Sequence, residues 1–206
     1  GKDVSEYRSI YNQLITDCIK QKHNTINDVP LLDYKSFLTK NYTNTNTRFL
    51  RYLFARIEHY LCQNTNLQMQ NDVNYISTRT GPKGGYHIEH ILSHNDMNRG
   101  FFDTEEEFEN DRNLLGGLLL LKGLDNISSG NEIYEDKLRT YSNSLLWGHS
   151  LCEDFYHANK DFEKFNNELT QDKGICFKSY AIFDKTALDE RSRLLFQLVK
   201  NIWEVE

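Results

Sequence analysis

Apolar residues recur at three- and four-residue steps through residues 3–21. Val4, Tyr7, Ile10, Tyr11, Leu14, Ile15 and Cys18 fall on one stripe, and the spacing predicts a helix. A stronger helical signal covers residues 45–63, where Phe49, Leu50, Leu53, Phe54, Ile57, Tyr60 and Leu61 make a wide apolar face. A third amphipathic helix is predicted over 186–203, capped by Thr186 and lined by Leu188, Leu194, Leu195, Leu198, Val199 and Ile202. Residues 22–47 are polar and rich in Asn and Thr, with a short apolar patch around Leu31, Leu32 and Phe37, and read as loop with a helical turn or short helix. The middle of the chain changes character. Val73–Ser77 reads as a strand, and Arg79–Gly85 as a basic, Gly/Pro-rich turn. Tyr86–Leu92 reads as a short strand. Residues 93–112 are polar and acidic, and Thr104 with Glu107 forms a capping box for a short helix. The apolar run Gly116–Leu121 has the length of a buried strand. A loop at Gly123 and a helix over 131–142 follow, and 143–173 is mixed, with Trp147, Phe155, Tyr156, Phe162 and Phe165 spread through it.

Composition narrows the class. The 206 residues are 38% hydrophobic, 26% charged and 13% aromatic, a globular balance with a high aromatic share. A chain of this length buries roughly 70% of its unfolded surface and needs no covalent staples. With two prolines, Pro30 and Pro82, long helices are favoured. No apolar run reaches the ~18 residues of a membrane span, so no membrane partner is expected. The start, GKDVSEYRSI, lacks signal-peptide architecture and reads as a tag remnant on a piece of a longer protein. Four cysteines, Cys18, Cys62, Cys152 and Cys176, show no CxxC spacing and read as reduced, mostly buried thiols of a cytoplasmic protein. The net charge of −6 argues against nucleic-acid binding by the whole surface but leaves room for a local groove or a second domain that supplies affinity.

The chemistry concentrates between residues 86 and 141. A strand carrying Glu89-His90, a second short strand and a helix with Asn126 near its start outline a ββα-metal finger. Phosphodiester hydrolysis needs an activated water, which a neutral imidazole can provide. It also needs a hard cation, which prefers oxygen ligands such as the Glu89 carboxylate and the Asn126 amide. Neighbouring strand residues point to opposite faces, so Glu89 and His90 serve one site only where the strand ends or twists.

The run Ile88-Glu89-His90-Ile91, then Arg112-Asn113 ahead of Leu115-Gly116-Gly117 and the leucines, resembles the C-terminal His-Asn-His domain of GmrSD-type restriction endonucleases. Asn126 after the Lys122-Gly123 turn, Tyr134-Glu135-Asp136-Lys137 and the following tyrosine extend the resemblance. It covers residues 45–203, and Arg191, Leu195 and Ile202-Trp203 are similar to the family's last helix. The resemblance implies His90 as general base, with Glu89 and Asn126 as metal ligands. His94 and Asn131 stand second. Arg112, Lys122 and Lys137 are implied as phosphate contacts or transition-state cations, Lys137 equally as an ion-pair partner. It further implies Mg²⁺, with Mn²⁺ able to substitute. DNA is the implied substrate, cut to 5′-phosphate and 3′-hydroxyl ends in restriction of foreign DNA such as phage DNA. The implied partner is an N-terminal ParB-like nucleotide-hydrolysing domain in the parent protein. Two departures stand out. Gly117 replaces an Asn that braces the base-bearing loop in many relatives, leaving backbone or water to orient it, and Ser93 stands where a proline is frequent.

Blander readings remain open beside these. A lone His90 reads as a surface or core histidine, and Asn126 as a helix cap. His87, His90 and His94 would suit a zinc site on a helix, but Gly84-Gly85 and the alternation at Ile88 favour a strand. The acidic run at Glu105–Glu109 reads as a solvated helix face. The expected architecture is α+β and mainly helical: one nuclease domain over 1–206, with flanks 1–63 and 143–206 around a ββα-metal core of about 73–142. The competing functions are an RNA-directed or nonspecific toxin-like nuclease, and a catalytically inactive nucleic-acid-binding or interaction module.

Overall fold

The computed structural model describes residues 4–23 and 32–203, and their elements run in chain order. They are α1 (Val4–His23), α2 (Tyr34–Leu38), α3 (Thr47–Thr65), α4 (Val73–Thr78), β1 (Tyr86–His90), α5 (Asp96–Arg99), α6 (Glu105–Asp111), β2 (Leu118–Lys122), α7 (Gly123–Ser129), α8 (Tyr134–Tyr141), α9 (Leu146–His149), α10 (Asp154–Ala158), α11 (Lys160–Lys173) and α12 (Lys185–Trp203). The fold is mainly helical around one two-stranded antiparallel sheet, an α+β arrangement. No helix among the described residues is long and apolar enough to cross a membrane.

Helix α3 is the spine. Asn46 caps it, its side chain accepting from the Arg48 and Phe49 amides at 2.9 and 3.3 Å. Asn66 ends it in the left-handed region at φ 53°. Its Leu50, Leu53, Phe54, Ile57 and Leu61 are buried, as the periodicity predicts, but Phe49 at the edge of that stripe is 52% exposed. Around this face pack α4, α9, α11, α12 and both strands. In α12, Leu188, Leu194, Leu195, Leu198 and Ile202 are buried, again on the predicted stripe.

β1 and β2 pair from Tyr86↔Lys122 to His90↔Leu118. The four leucines of β2 are buried on both faces, which is why that strand reads as a continuous apolar run.

Several expectations are corrected. Val73–Ser77 is helical, not a strand, because Asp72 caps the segment by accepting from the Tyr75 amide at 2.7 Å and α3 covers one face. The last helix starts at Lys185, with Asp184 rather than Thr186 accepting from the Ala187 amide at 2.9 Å. Gly123 opens α7 directly after β2, and the predicted helix over 131–142 contracts to Tyr134–Tyr141. The 143–173 stretch resolves into three helices, α9, α10 and α11. The predicted first strand stops at His90 rather than Leu92. In the 22–47 stretch, α2 is the predicted helical turn, while Leu31 lies outside the described residues. Of the cysteines, Cys62 and Cys152 are buried, Cys176 is half-buried and Cys18 is exposed.

Candidate active site at the end of the first strand

Glu89 and His90 close β1, and the strand's alternation sends their side chains to different sets of partners. The Glu89 carboxylate is buried at 6% exposure. Its Oε1 accepts a short hydrogen bond from Lys137 Nζ on α8, and its Oε2 accepts from Asn126 Nδ2 on α7 at 2.9 Å. The Lys137 ammonium, 1% exposed, donates also to the His90 carbonyl at 2.7 Å. Burial pushes the Glu89 carboxyl up and the Lys137 amine down, and each charge opposes the other's shift. Asn126 Nδ2 also lies 3.5 Å from the Ile88 carbonyl. The helix-borne amide, the acid and the lysine thus meet on one side of the strand end.

The His90 ring lies among other groups. Its Nε2 is 2.9 Å from Asn113 Oδ1. Asn113 Nδ2 donates to the Glu109 carbonyl at 2.6 Å, which fixes the amide's orientation and turns its oxygen toward the ring. An oxygen can only accept, so Nε2 carries the hydrogen of the neutral imidazole and Nδ1 holds the lone pair. Among the described residues, no hydrogen-bond partner takes up Nδ1. The Tyr42 ring meets His90 edge-on at 4.7 Å and 78°, and the Tyr42 amide donates to the Asn113 carbonyl at 2.9 Å. Burial first, and the Arg112 charge second, push the His90 pKa down to about 4, so the ring is neutral at pH 7.

The remaining sequence-derived residues divide. Arg112 is buried, its Nε donating to the Leu92 carbonyl at 3.1 Å and its Nη1 3.7 Å from Glu109. His94 Nδ1 lies 3.1 Å from Glu109 and 3.4 Å from Arg99 Nη2. Glu109, read from sequence as part of a solvated face, therefore joins His94 to Arg112 beside the site. Asn131 is exposed and contributes its carbonyl, which accepts from Asn95 Nδ2 at 3.3 Å. Lys122 is exposed and paired with Tyr86 at the far end of the sheet, four positions from the His90 row or roughly 13 Å along the strand. It is not brought to His90. His87 accepts weakly from the Gly81 amide at 3.3 Å, and no group of three His, Cys, Asp or Glu among the described residues is arranged to hold a metal ion, so the three-histidine zinc reading finds no support in the fold.

The two departures acquire physical accounts. Gly117 supplies backbone, its carbonyl accepting from the Ile91 amide at 2.9 Å just past His90. A Cβ there would lie 3.1 Å from Leu188 Cδ1 and 3.2 Å from the Arg112 carbonyl. The side-chain brace comes instead from Asn113, four residues earlier. Ser93 donates to the Glu132 carbonyl at 2.6 Å and receives Asn98 Nδ2 at 3.1 Å, tying the loop after β1 to the entry of α8.

A family profile described as GmrSD restriction endonucleases, C-terminal domain, matches residues 34–198. The chain belongs to this family. No curated protein and no solved structure matches it. Membership makes it a restriction-endonuclease-related nuclease domain. The matched span of the GmrSD C-terminal domain contains α2 through most of α12, hence every residue of the site, and leaves α1 outside.

Tyr42, Glu109 and Asn113 are the site residues that sequence reasoning did not single out. Asn113 stood within the motif as the second residue of Arg112-Asn113. Nothing in its spacing told a loop asparagine from a partner of His90, because their contact joins residues 23 positions apart.

Proposed function

We propose that the chain is a metal-dependent DNA endonuclease domain of the His-Asn-His type, with His90 Nδ1 as the general base. The observation that carries this reading is the orientation of His90: a neutral imidazole held at Nε2 by Asn113, with its Nδ1 lone pair unclaimed. The order β1, β2, α7, with Glu89 at the end of the first element and Asn126 in the last, supports the ββα-metal finger.

The donor chemistry fits a hard divalent ion such as Mg²⁺ or Mn²⁺. Glu89 and Asn126 are adjacent oxygen-bearing side chains, and Mg²⁺ is commonly held by one or two protein oxygens plus water and phosphate. When bound, such an ion supplies positive charge to the leaving 3′-oxygen. Lys137 already engages one Glu89 oxygen, so binding by the protein alone is expected to be weak. Within the chain, His90 Nδ1 takes the proton of the attacking water and Asn113 keeps the ring in the productive tautomer. Lys137 is a positioning residue: buried, it ties the acid to the backbone of the base and cannot meet a phosphate. Arg112 likewise serves through the Leu92 carbonyl and Glu109.

In this reading residues 1–206 act as one nuclease unit within a longer restriction protein. A preceding ParB-like nucleotide-hydrolysing domain supplies modification sensing and much of the DNA affinity, as the net charge of −6 requires. The deciding experiment is plasmid nicking at low salt with Mg²⁺ or Mn²⁺, comparing wild type with His90→Ala. Cutting that vanishes with EDTA and in the variant is expected. Equal cutting by both proteins would overturn the assignment of the base. DNA binding without cutting, also in the full-length protein, would make this an inactive binding module, and preferential loss of RNA in a mixed digest would make it a ribonuclease.

A further inference from the structure

Helix α1 turns its apolar side to solvent. Tyr7, Ile10, Tyr11, Leu14 and Ile15 are between 38% and 61% exposed. The half-buried positions are Arg8, Asn12 and Thr16, a polar stripe centred about 120° around the helix from the apolar one. An amphipathic helix free in a monomer would bury the opposite side.

In the sequence, Val4, Tyr7, Tyr11, Leu14 and Cys18 follow steps of 3, 4, 3 and 4, the a/d seam of a two-stranded coiled coil. The flanking positions add direction. In this register Asp3, Ile10 and Asp17 take the g positions, and Arg8, Ile15 and Lys22 the e positions. Parallel pairing sets each g residue against the e residue five further along the other copy: acid to base, Ile to Ile, acid to base. Antiparallel pairing sets Arg8 against Lys22, two like charges. We propose that this stripe is a self-association seam through which two copies of the chain pair as a parallel, two-stranded coiled coil. Parallel pairing also brings the two exposed Cys18 thiols face to face.

The test uses the full chain without DNA or metal, so its failure leaves the nuclease reading untouched. Light scattering is expected to give a two-chain mass. The double substitution Tyr11→Glu/Leu14→Glu is expected to give a one-chain mass with an unchanged melting temperature, since neither side chain is in the core. Mild oxidation is expected to trap a covalent dimer, lost in Cys18→Ser. A one-chain mass for the wild type overturns the proposal. If the stripe is then protected from labelling only in the full-length parent protein, it belongs to the preceding domain instead. A dimer that survives the double substitution overturns the seam, and one that never crosslinks through Cys18 overturns the parallel register.

Discussion

The side chain that organises the candidate site is Asn113, which does no chemistry itself. By donating from Nδ2 to the Glu109 carbonyl and accepting at Oδ1, it dictates which His90 nitrogen is free. Asn113→Ala is expected to lower kcat about 10–100-fold, the range seen when a supporting partner of a site group is lost, with the circular dichroism spectrum unchanged. Asn113→Asp probes the same contact electrostatically. With the His90 pKa near 4, wild-type cutting should hold its rate down to about that pH. A carboxylate beside the ring favours the imidazolium, so the acid limb of the pH–rate profile should move upward in the variant. An unmoved limb would remove His90 from the role of base. His94, by contrast, is engaged by Glu109 and Arg99, and its proximity in sequence gave it a prominence that its contacts do not support.

Between elements, two contacts hold the finger together, and each makes a prediction. Lys137 joins α8 to the end of β1 through Glu89 and the His90 carbonyl. Lys137→Met leaves a buried acid without its partner, a change that typically costs about 3–5 kcal/mol. Urea unfolding should show that loss, and Glu89→Gln in the same chain should restore part of it; no restoration would mean that the lysine acts by packing alone. The second contact is the approach of α12 to the turn before β2. A Cβ at Gly116 would meet Ser192 Oγ at 2.4 Å and the Ser192 amide nitrogen at 2.6 Å. Gly116→Ala should therefore destabilise by about 1–3 kcal/mol, as overpacking does, while Gly117→Asn should fail to raise activity because Leu188 already fills that space. The elements that sequence periodicity located well, α3 and α12, are those long enough to show several turns of the pattern. The short ones, α4, α7, α9 and α10, depend on a single cap or on a neighbour's face. Val73–Thr78 shows the difference: its β-branched residues favour a strand, but the Asp72 cap and the packing on α3 decide for helix.

At the scale of the whole molecule, buried polar groups join distant parts of the chain. Glu58 on α3 is 5% exposed and accepts from the Leu146 amide at the start of α9 at 2.7 Å, and burial pushes its pKa up to about 7. A carboxyl raised in the folded state binds more protons there than in the unfolded chain. Its stabilising contribution is therefore full below the unfolded value near 4.5 and is lost as pH rises toward 7. Glu58→Gln should remove that slope, so between pH 4.5 and 7 the wild type should lose on the order of 3 kcal/mol relative to the variant. His90, lowered in the fold, acts in the opposite sense over an overlapping range but is present in both proteins and cancels from the comparison. Parallel stability profiles would show that Glu58 is not desolvated as described. Arg191 makes the same point about distance: it lies within the apolar stripe of α12, yet stacks on the Trp147 ring at 3.8 Å and donates to the Trp147 carbonyl at 3.0 Å. By itself the sequence determined the long helices, the leucine strand and the Glu89, His90, Asn126 set, because periodicity and motif spacing are local properties that survive in one dimension. Only the tertiary structure decided that Asn113 braces His90, that Lys137 is buried against Glu89, that Lys122 stands at the wrong end of the sheet, and that α1 faces its apolar stripe outward. Those outcomes depend on which side chains distant segments bring within hydrogen-bonding reach, and on what remains uncovered when they have packed.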